Sequence, residues 1–129
     1  MTQEEFKATA TKKTEKLINF ISLGQYDNIP SVALIEDSWC GENKNQEEGI
    51  CEFKEWLEEQ LALWSEDYDK EFVVDAFDEN NLKLRELENG RSFAEYSPTS
   101  HGEELDFWFE LNMHIDAADN LILKFNVNV

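Results

Sequence analysis

The run Leu105-Asp106-Phe107-Trp108-Phe109-Glu110-Leu111-Asn112-Met113-His114-Ile115 decides the fold, together with its answer Leu121-Ile122-Leu123-Lys124-Phe125-Asn126-Val127-Asn128-Val129. In the first run Leu105, Phe107, Phe109, Leu111, Met113 and Ile115 alternate with Asp106, Trp108, Glu110, Asn112 and His114. In the second, Leu121, Leu123, Phe125, Val127 and Val129 alternate with Ile122, Lys124, Asn126 and Asn128. Successive side chains of a strand point to opposite faces, so each run has one greasy side and one wet side. The turn at Asp116–Asn120 makes them an antiparallel pair with its apolar face on a core.

Upstream the same period of two recurs in shorter pieces. Residues 71–77 (EFVVDAF), 82–87 (LKLREL) and 91–98 (RSFAEYSP) read as strands, and 99–104 (TSHGEE) as a loop of small polar residues. Before residue 70 the period is helical. Thr2 and Glu5 fit a capping box, Phe6, Ala10, Lys13, Leu17, Phe20 and Ile21 follow at helical spacing, and Gly24 supplies the left-handed stop. That predicts a first helix of about 20 residues. Asp27 and Asn28 cap a short helix expected over Pro30 to Glu36, and residues 37–46 (DSWCGENKNQ) read as a short strand leaving through a polar hairpin. Gly49 precedes a second strong helix, with Ile50, Phe53, Trp56, Leu57, Leu61 and Trp64 on one side and Glu52, Glu55, Glu58, Glu59 and Glu66 on the other. Helices first and a meander of strands after them predict an α+β domain spanning 1–129, a bent, mostly antiparallel sheet wrapped over helices.

Composition narrows the function classes. The 129 residues carry 29 acidic and 11 basic side chains, a net charge of −18, and 41% apolar residues, enough for a sizeable core. Such a charge repels nucleic-acid backbones and anionic membranes, so neither is expected as a partner. No apolar run reaches the roughly 18 residues of a membrane helix, and the start of the chain does not read as a secretory signal, which points to the cytoplasm. Between Glu36 and Glu79 there are 16 acidic residues against Lys44, Lys54 and Lys70, a local excess of −13. Such a run is ordinarily a solvated face that keeps a protein soluble; the sharper alternative is a face that docks a basic partner. Cys40 and Cys51 have no metal-ligand spacing and read as two reduced thiols, with a mutual disulfide as the alternative. His101 and His114, 13 residues apart, build neither a metal site nor a triad, so no metal or cofactor is expected.

The layout resembles the nuclear transport factor 2-like superfamily, which includes SnoaL-like polyketide cyclases and ketosteroid isomerase. The resemblance rests on the long first helix, the acidic-aromatic cluster Glu36-Asp37-Ser38-Trp39, the Gly49-Ile50-Cys51-Glu52-Phe53 helix start, and the two long closing strands. It implies a cystatin-like cone, with helices packed in the concave face of a strongly bent sheet around a hydrophobic pocket. It also implies a homodimer through the opposite, polar sheet face, where Trp108 lies. The expected occupant of the pocket is a small apolar or amphipathic molecule, with Tyr26, Trp39, Trp56, Tyr96, Phe107, Phe109 and Met113 as contacts.

Whether the domain turns anything over is left open by the sequence. A base for an isomerase or cyclase would be a carboxylate whose pKa is raised by an apolar site. The resemblance places Asp37 at the pocket entrance, and Asp75 in FVVDAF becomes the better base if it points inward. An Asp after a short helix is more often a cap, and a tyrosine at a core edge more often packs with its hydroxyl in water. The long strands show no polar group in their apolar register, which supports binding over catalysis. Two functions follow: a small-molecule binder with a cone pocket, or an acidic module (inhibitor, immunity protein or nucleic-acid mimic) that binds a basic partner.

Overall fold

The computed structural model describes residues 1–40 and 45–129, apart from the side chains of Ser38 and Cys40. In chain order it contains α1 (Gln3–Ser22), a 3₁₀ segment (Tyr26–Ser31), β1 (Leu34–Ile35), α2 (Asp37–Cys40) and α3 (Gln46–Asp67). A 3₁₀ turn (Glu79–Asn81) then leads into β2 (Leu82–Leu84), β3 (Arg91–Tyr96), β4 (Thr99–Ser100), β5 (Glu103–Glu104), β6 (Trp108–Ile115) and β7 (Leu121–Asn128). The molecule is α+β, with three α-helices among the described residues and a mixed five-stranded sheet in the order β1-β7-β6-β3-β2. Strands β1 and β2 are its edges, so the sheet is open; β4 and β5 pair separately as a small ribbon.

The closing strands pair as their alternation predicts, antiparallel from Trp108↔Asn128 to Ile115↔Leu121. Phe107, Phe109, Leu111 and Met113 are buried with Leu121, Leu123 and Phe125, while Asn112 and His114 of the other register are exposed. The long helices pack against that buried register. Phe53 of α3 sets its ring edge-on to Phe109 and Phe125, and Phe6, Ala10, Leu17, Ile18 and Ile21 of α1 join the same core.

The capping box forms as read: Thr2 Oγ1 accepts from Glu5 N at 3.1 Å, and α1 ends before Gly24, whose φ of 71° is left-handed. The sequence stripe omits Thr14, which is fully buried because its hydroxyl donates to the Ala10 carbonyl at 2.8 Å, four residues back.

Five local expectations are corrected. The short helix over Pro30–Glu36 is instead the 3₁₀ segment followed by β1. Pro30 lacks an N–H, and Leu34 and Ile35 find a parallel partner in Lys124 and Phe125 of β7. The strand expected from Asp37 is the helical turn α2, and the hairpin beyond it falls largely on residues 41–44, outside the described residues. Helix α3 starts before Gly49, because Asn45 caps it: its Oδ1 accepts from Glu48 N at 3.0 Å. Residues 71–77 are extended but join no sheet, and the loop over 99–104 carries the β4–β5 ribbon, whose register is Thr99↔Glu104 and Ser100↔Glu103.

Candidate functional site

The side chains expected to line a hollow are packed against one another. Phe53 stands at the centre, with ring centroids 6.2 Å from Tyr26, 5.9 Å from Trp39, 6.0 Å from Phe109 and 5.4 Å from Phe125. Trp56 meets Trp39 at 6.0 Å and Phe107 at 5.5 Å, and Phe107 meets Phe109 at 5.5 Å. Nearly all these contacts are edge-to-face, the arrangement ring quadrupoles favour. Phe107, Phe109 and Met113 are buried, and Trp39 and Trp56 are half-buried. Trp39 uses its indole N–H on Asn126 Oδ1 at 2.8 Å. The aromatic cluster occupies the space beneath the sheet where the sequence predicts a cone hollow.

Both tyrosines belong to this packing. Burial, aided by the Glu58 charge, pushes the Tyr26 phenol up to about 12, so it stays protonated. Burial also raises the Tyr96 phenol; its ring stacks on Phe77, and its oxygen accepts the Asp78 N–H at 3.0 Å.

Neither candidate base sits in an apolar pocket. The Asp37 side chain is 89% exposed at the start of α2, 3.5 Å from Lys124 Nζ. Asp75 acts as a clasp. Its Oδ1 accepts from His101 N at 2.9 Å, and its Oδ2 accepts from Thr99 Oγ1 at 2.7 Å and Gly102 N at 2.9 Å. Desolvation pulls its pKa up, but those three donors and the His101 ring outweigh it, and the carboxyl titrates below its ordinary value. Asp75 is thus a carboxylate held by three hydrogen-bond donors rather than one set in an apolar site. Among the described residues no group of three or more His, Cys, Asp or Glu side chains is placed to hold a metal.

His101 is exposed at φ 50°, with Nε2 3.1 Å from the Glu71 carbonyl, and His114 is exposed on the outer sheet face, as its register predicts. Cys51 is an exposed free thiol; its pairing with Cys40 lies outside the described residues.

Among the clefts that the described residues line, two lie beside this packed cluster or on the sheet face opposite it. One, of about 690 Å³, runs over the outer sheet face, where Arg85, Arg91 and Lys124 are interleaved with Glu36, Glu86 and Glu88 and Phe93 and Ile122 also line it. The other, of about 570 Å³, lies between the 3₁₀ segment and the start of α3, against Tyr26, Pro30, Ile50 and Lys54.

The strongest electrostatic feature is the outward side of α3. Glu47, Glu48, Glu55, Glu58, Glu59, Glu66 and Asp67 are all exposed there, and Lys54 is the helix's one base. Glu48–Glu52, Glu52–Glu55, Glu55–Glu58 and Glu55–Glu59 place like charges three or four residues apart. Each such pair costs about 0.2–0.5 kcal/mol, and Lys54, four residues before Glu58, offsets part of that cost. Its last turn holds acids and no base, against the helix dipole.

Sequence reasoning singled out this acidic face but missed the polar side chains that fasten residues 71–78, namely Asn19, Ser65 and Ser100. The available signal was a polar residue beside the apolar stripe of each helix: Asn19 between Ile18 and Phe20, and Ser65 after Trp64. No protein-family model matches the chain, and neither a curated protein nor a solved structure matches it.

Proposed function

We propose that the chain is a non-enzymatic binding module that uses the acidic outward face of α3 to dock a basic protein surface. The observation that carries this is the row of exposed carboxylates on α3, whose inward side is spent on the core. Self-repulsion on a free surface is relieved when a cationic partner covers it, and the same field steers that partner during encounter. The packed interior and the low-titrating Asp75 argue in the same direction, against turnover.

The framework for this reading is the cystatin-like cone of the nuclear transport factor 2-like superfamily. Its support is the order of elements and the placement of α1 and α3 on the buried register of the sheet. The outer sheet face, where cations and carboxylates balance and Trp108, Phe93 and Ile122 add apolar area, is the proposed homodimer surface.

The test uses a zero-length carbodiimide, which joins carboxylates to partner lysines. With a captured basic partner, the links fall on α3 glutamates, and binding weakens steeply from low to high salt. Neutralising Glu55, Glu58 and Glu59 to Gln removes binding, whereas neutralising Glu79, Glu86 and Glu88 leaves it largely intact. Equal losses from the two triples would refute the docking face.

A further inference from the structure

Residues 71–77 present the pattern of a strand, yet they lie extended outside both sheets. Side chains, rather than a ladder, fasten them. The Phe72 N–H donates to Ser65 Oγ of α3 at 2.9 Å, Val73 N–H to Ser100 Oγ of β4 at 2.9 Å, and Phe77 N–H to Asn19 Oδ1 of α1 at 2.8 Å. Asp78 N–H ends the series on the Tyr96 hydroxyl at 3.0 Å; only Asp75 N–H finds a backbone acceptor, Thr99 O, at 2.8 Å. Four different elements are therefore tied to one segment, α1, α3 and β3 by one side-chain bond each and β4 by the bonds of Val73 and Asp75. A ladder opens cooperatively, whereas separate bonds of this kind give a segment its own low opening free energy.

The segment is also bounded as a movable unit. Asp69 precedes it at φ 51°, a left-handed conformation that turns the chain out of α3, and the Glu79–Asn81 3₁₀ turn follows it. Its centre is pinned by Asp75, which draws the Thr99–Gly102 turn onto it through three hydrogen bonds; the Lys70–Glu103 ion pair at 3.2 Å adds an exposed tie at one end.

What it covers is aromatic. Val74 is buried, and Phe72 lies 6.2 Å from Trp64, whose indole is nearly parallel to Phe107 at 6.0 Å. Beyond Phe107 the wall continues through Trp56 into the interior cluster. Displacing Phe72 would uncover the part of the Trp64 indole that it meets, beside the ring of Phe107 stacked on that indole.

We propose that residues 71–77 form a releasable strap, held shut by the Asp75 clasp, whose opening admits a planar apolar molecule onto the Trp64–Phe107 wall. This goes beyond the docking face of α3 and does not rest on it.

Hydrogen–deuterium exchange of the intact chain under native conditions reads the strap directly. Peptides covering residues 71–78 exchange at least about a hundredfold faster than those of β6, because the strap opens without global unfolding. Asp75→Asn puts an amide NH₂ among the clasp's donors. It accelerates strap exchange on the order of tenfold, the least that a lost charge-assisted bond implies, with β6 unchanged. Thr99→Val, which removes one donor and keeps the carboxylate, gives a smaller acceleration of the same peptides and serves if the first variant does not fold. Nile red, a neutral planar dye, gains fluorescence with the variant that opens the strap. Strap peptides protected as long as β6, variants that speed both regions equally or neither, or no gain in dye fluorescence would each overturn the proposal.

Discussion

Truncating Phe53 to Ala separates a packed interior from a hollow one. The ring is fully buried and touches Tyr26, Trp39, Phe109 and Phe125, with centroids between 5.4 and 6.2 Å. Deleting a buried phenyl ring costs about 3–5 kcal/mol when its surroundings cannot collapse. Here four aromatic neighbours from the 3₁₀ segment, α2, β6 and β7 hold the space open, so the loss belongs near the upper half of that range, about 4 kcal/mol. That is a large share of the roughly 5–15 kcal/mol that stabilises an ordinary domain, yet it leaves the variant folded. In urea titration followed by tryptophan fluorescence, with a slope of about 2 kcal/mol/M, the midpoint falls by roughly 2 M. Leu63→Ala, on a side chain 46% exposed on α3, serves as the control and shifts stability by no more than about 0.5 kcal/mol. A loss at Phe53 below about 1.5 kcal/mol with an unchanged slope would mean that the ring borders empty space, and the packed interior argued above would be wrong.

Three further outcomes are expected. Asp75 titrates below its ordinary value when folded, so its contribution is fully present above the unfolded value of 3.8 and disappears as pH falls through the lower folded one. Urea midpoints measured down that acid limb should therefore drop in the parent and flatten in Asp75→Asn; identical limbs would show that the Asp75 clasp does not set the acid response. Trp108→Glu places a charge on the proposed dimer face at the start of β6, and sedimentation velocity should show monomers; a dimer that survives would put the contact elsewhere. Gly24→Ala meets no atom within 4 Å of the added methyl, but its φ of 71° is strained for alanine, so thermal unfolding should show a loss of about 1 kcal/mol; a gain would mean that the turn had relaxed.

The regular parts of this fold are written in short-range chemistry. Thr2 and Glu5 cap α1 through contacts three residues apart, and the β6–β7 register follows from alternation alone. Both depend on nothing beyond neighbouring residues, so both are legible. The start of α3 depends on a choice between two local signals, Asn45 and Gly49. A capping side chain outranks a small residue, because it satisfies an N–H that would otherwise lack a partner. The helix expected from Pro30 fails for a different reason: β1 exists only because β7, some 90 residues later, offers its edge to Leu34 and Ile35. Propensity is overridden there by a pairing that no local window contains.

The same distinction separates what alternation says about residues 71–77 and about the space beneath the sheet from what it leaves open. Residues 71–77 alternate in sequence as a strand would; what the pattern leaves out is whether a neighbouring strand is present to pair, and without one the register breaks, with Ala76 exposed and Phe77 stacked on Tyr96. Here Ser65, Ser100, Asn19 and Tyr96 supply oxygens in place of that neighbour, and none of them lies within six residues of the N–H it receives. Likewise an apolar register beneath a sheet says that its side chains leave water, and says nothing about whether they meet a ligand or one another. Phe53 decides that question: a ring of that size, brought by α3 to the middle of six other aromatic side chains, turns the space into a core. The acidic side of α3 was legible from the start, since exposed charge needs no tertiary partner to be seen. The structure adds that seven of the acids of this helix are exposed with Lys54 as its one base.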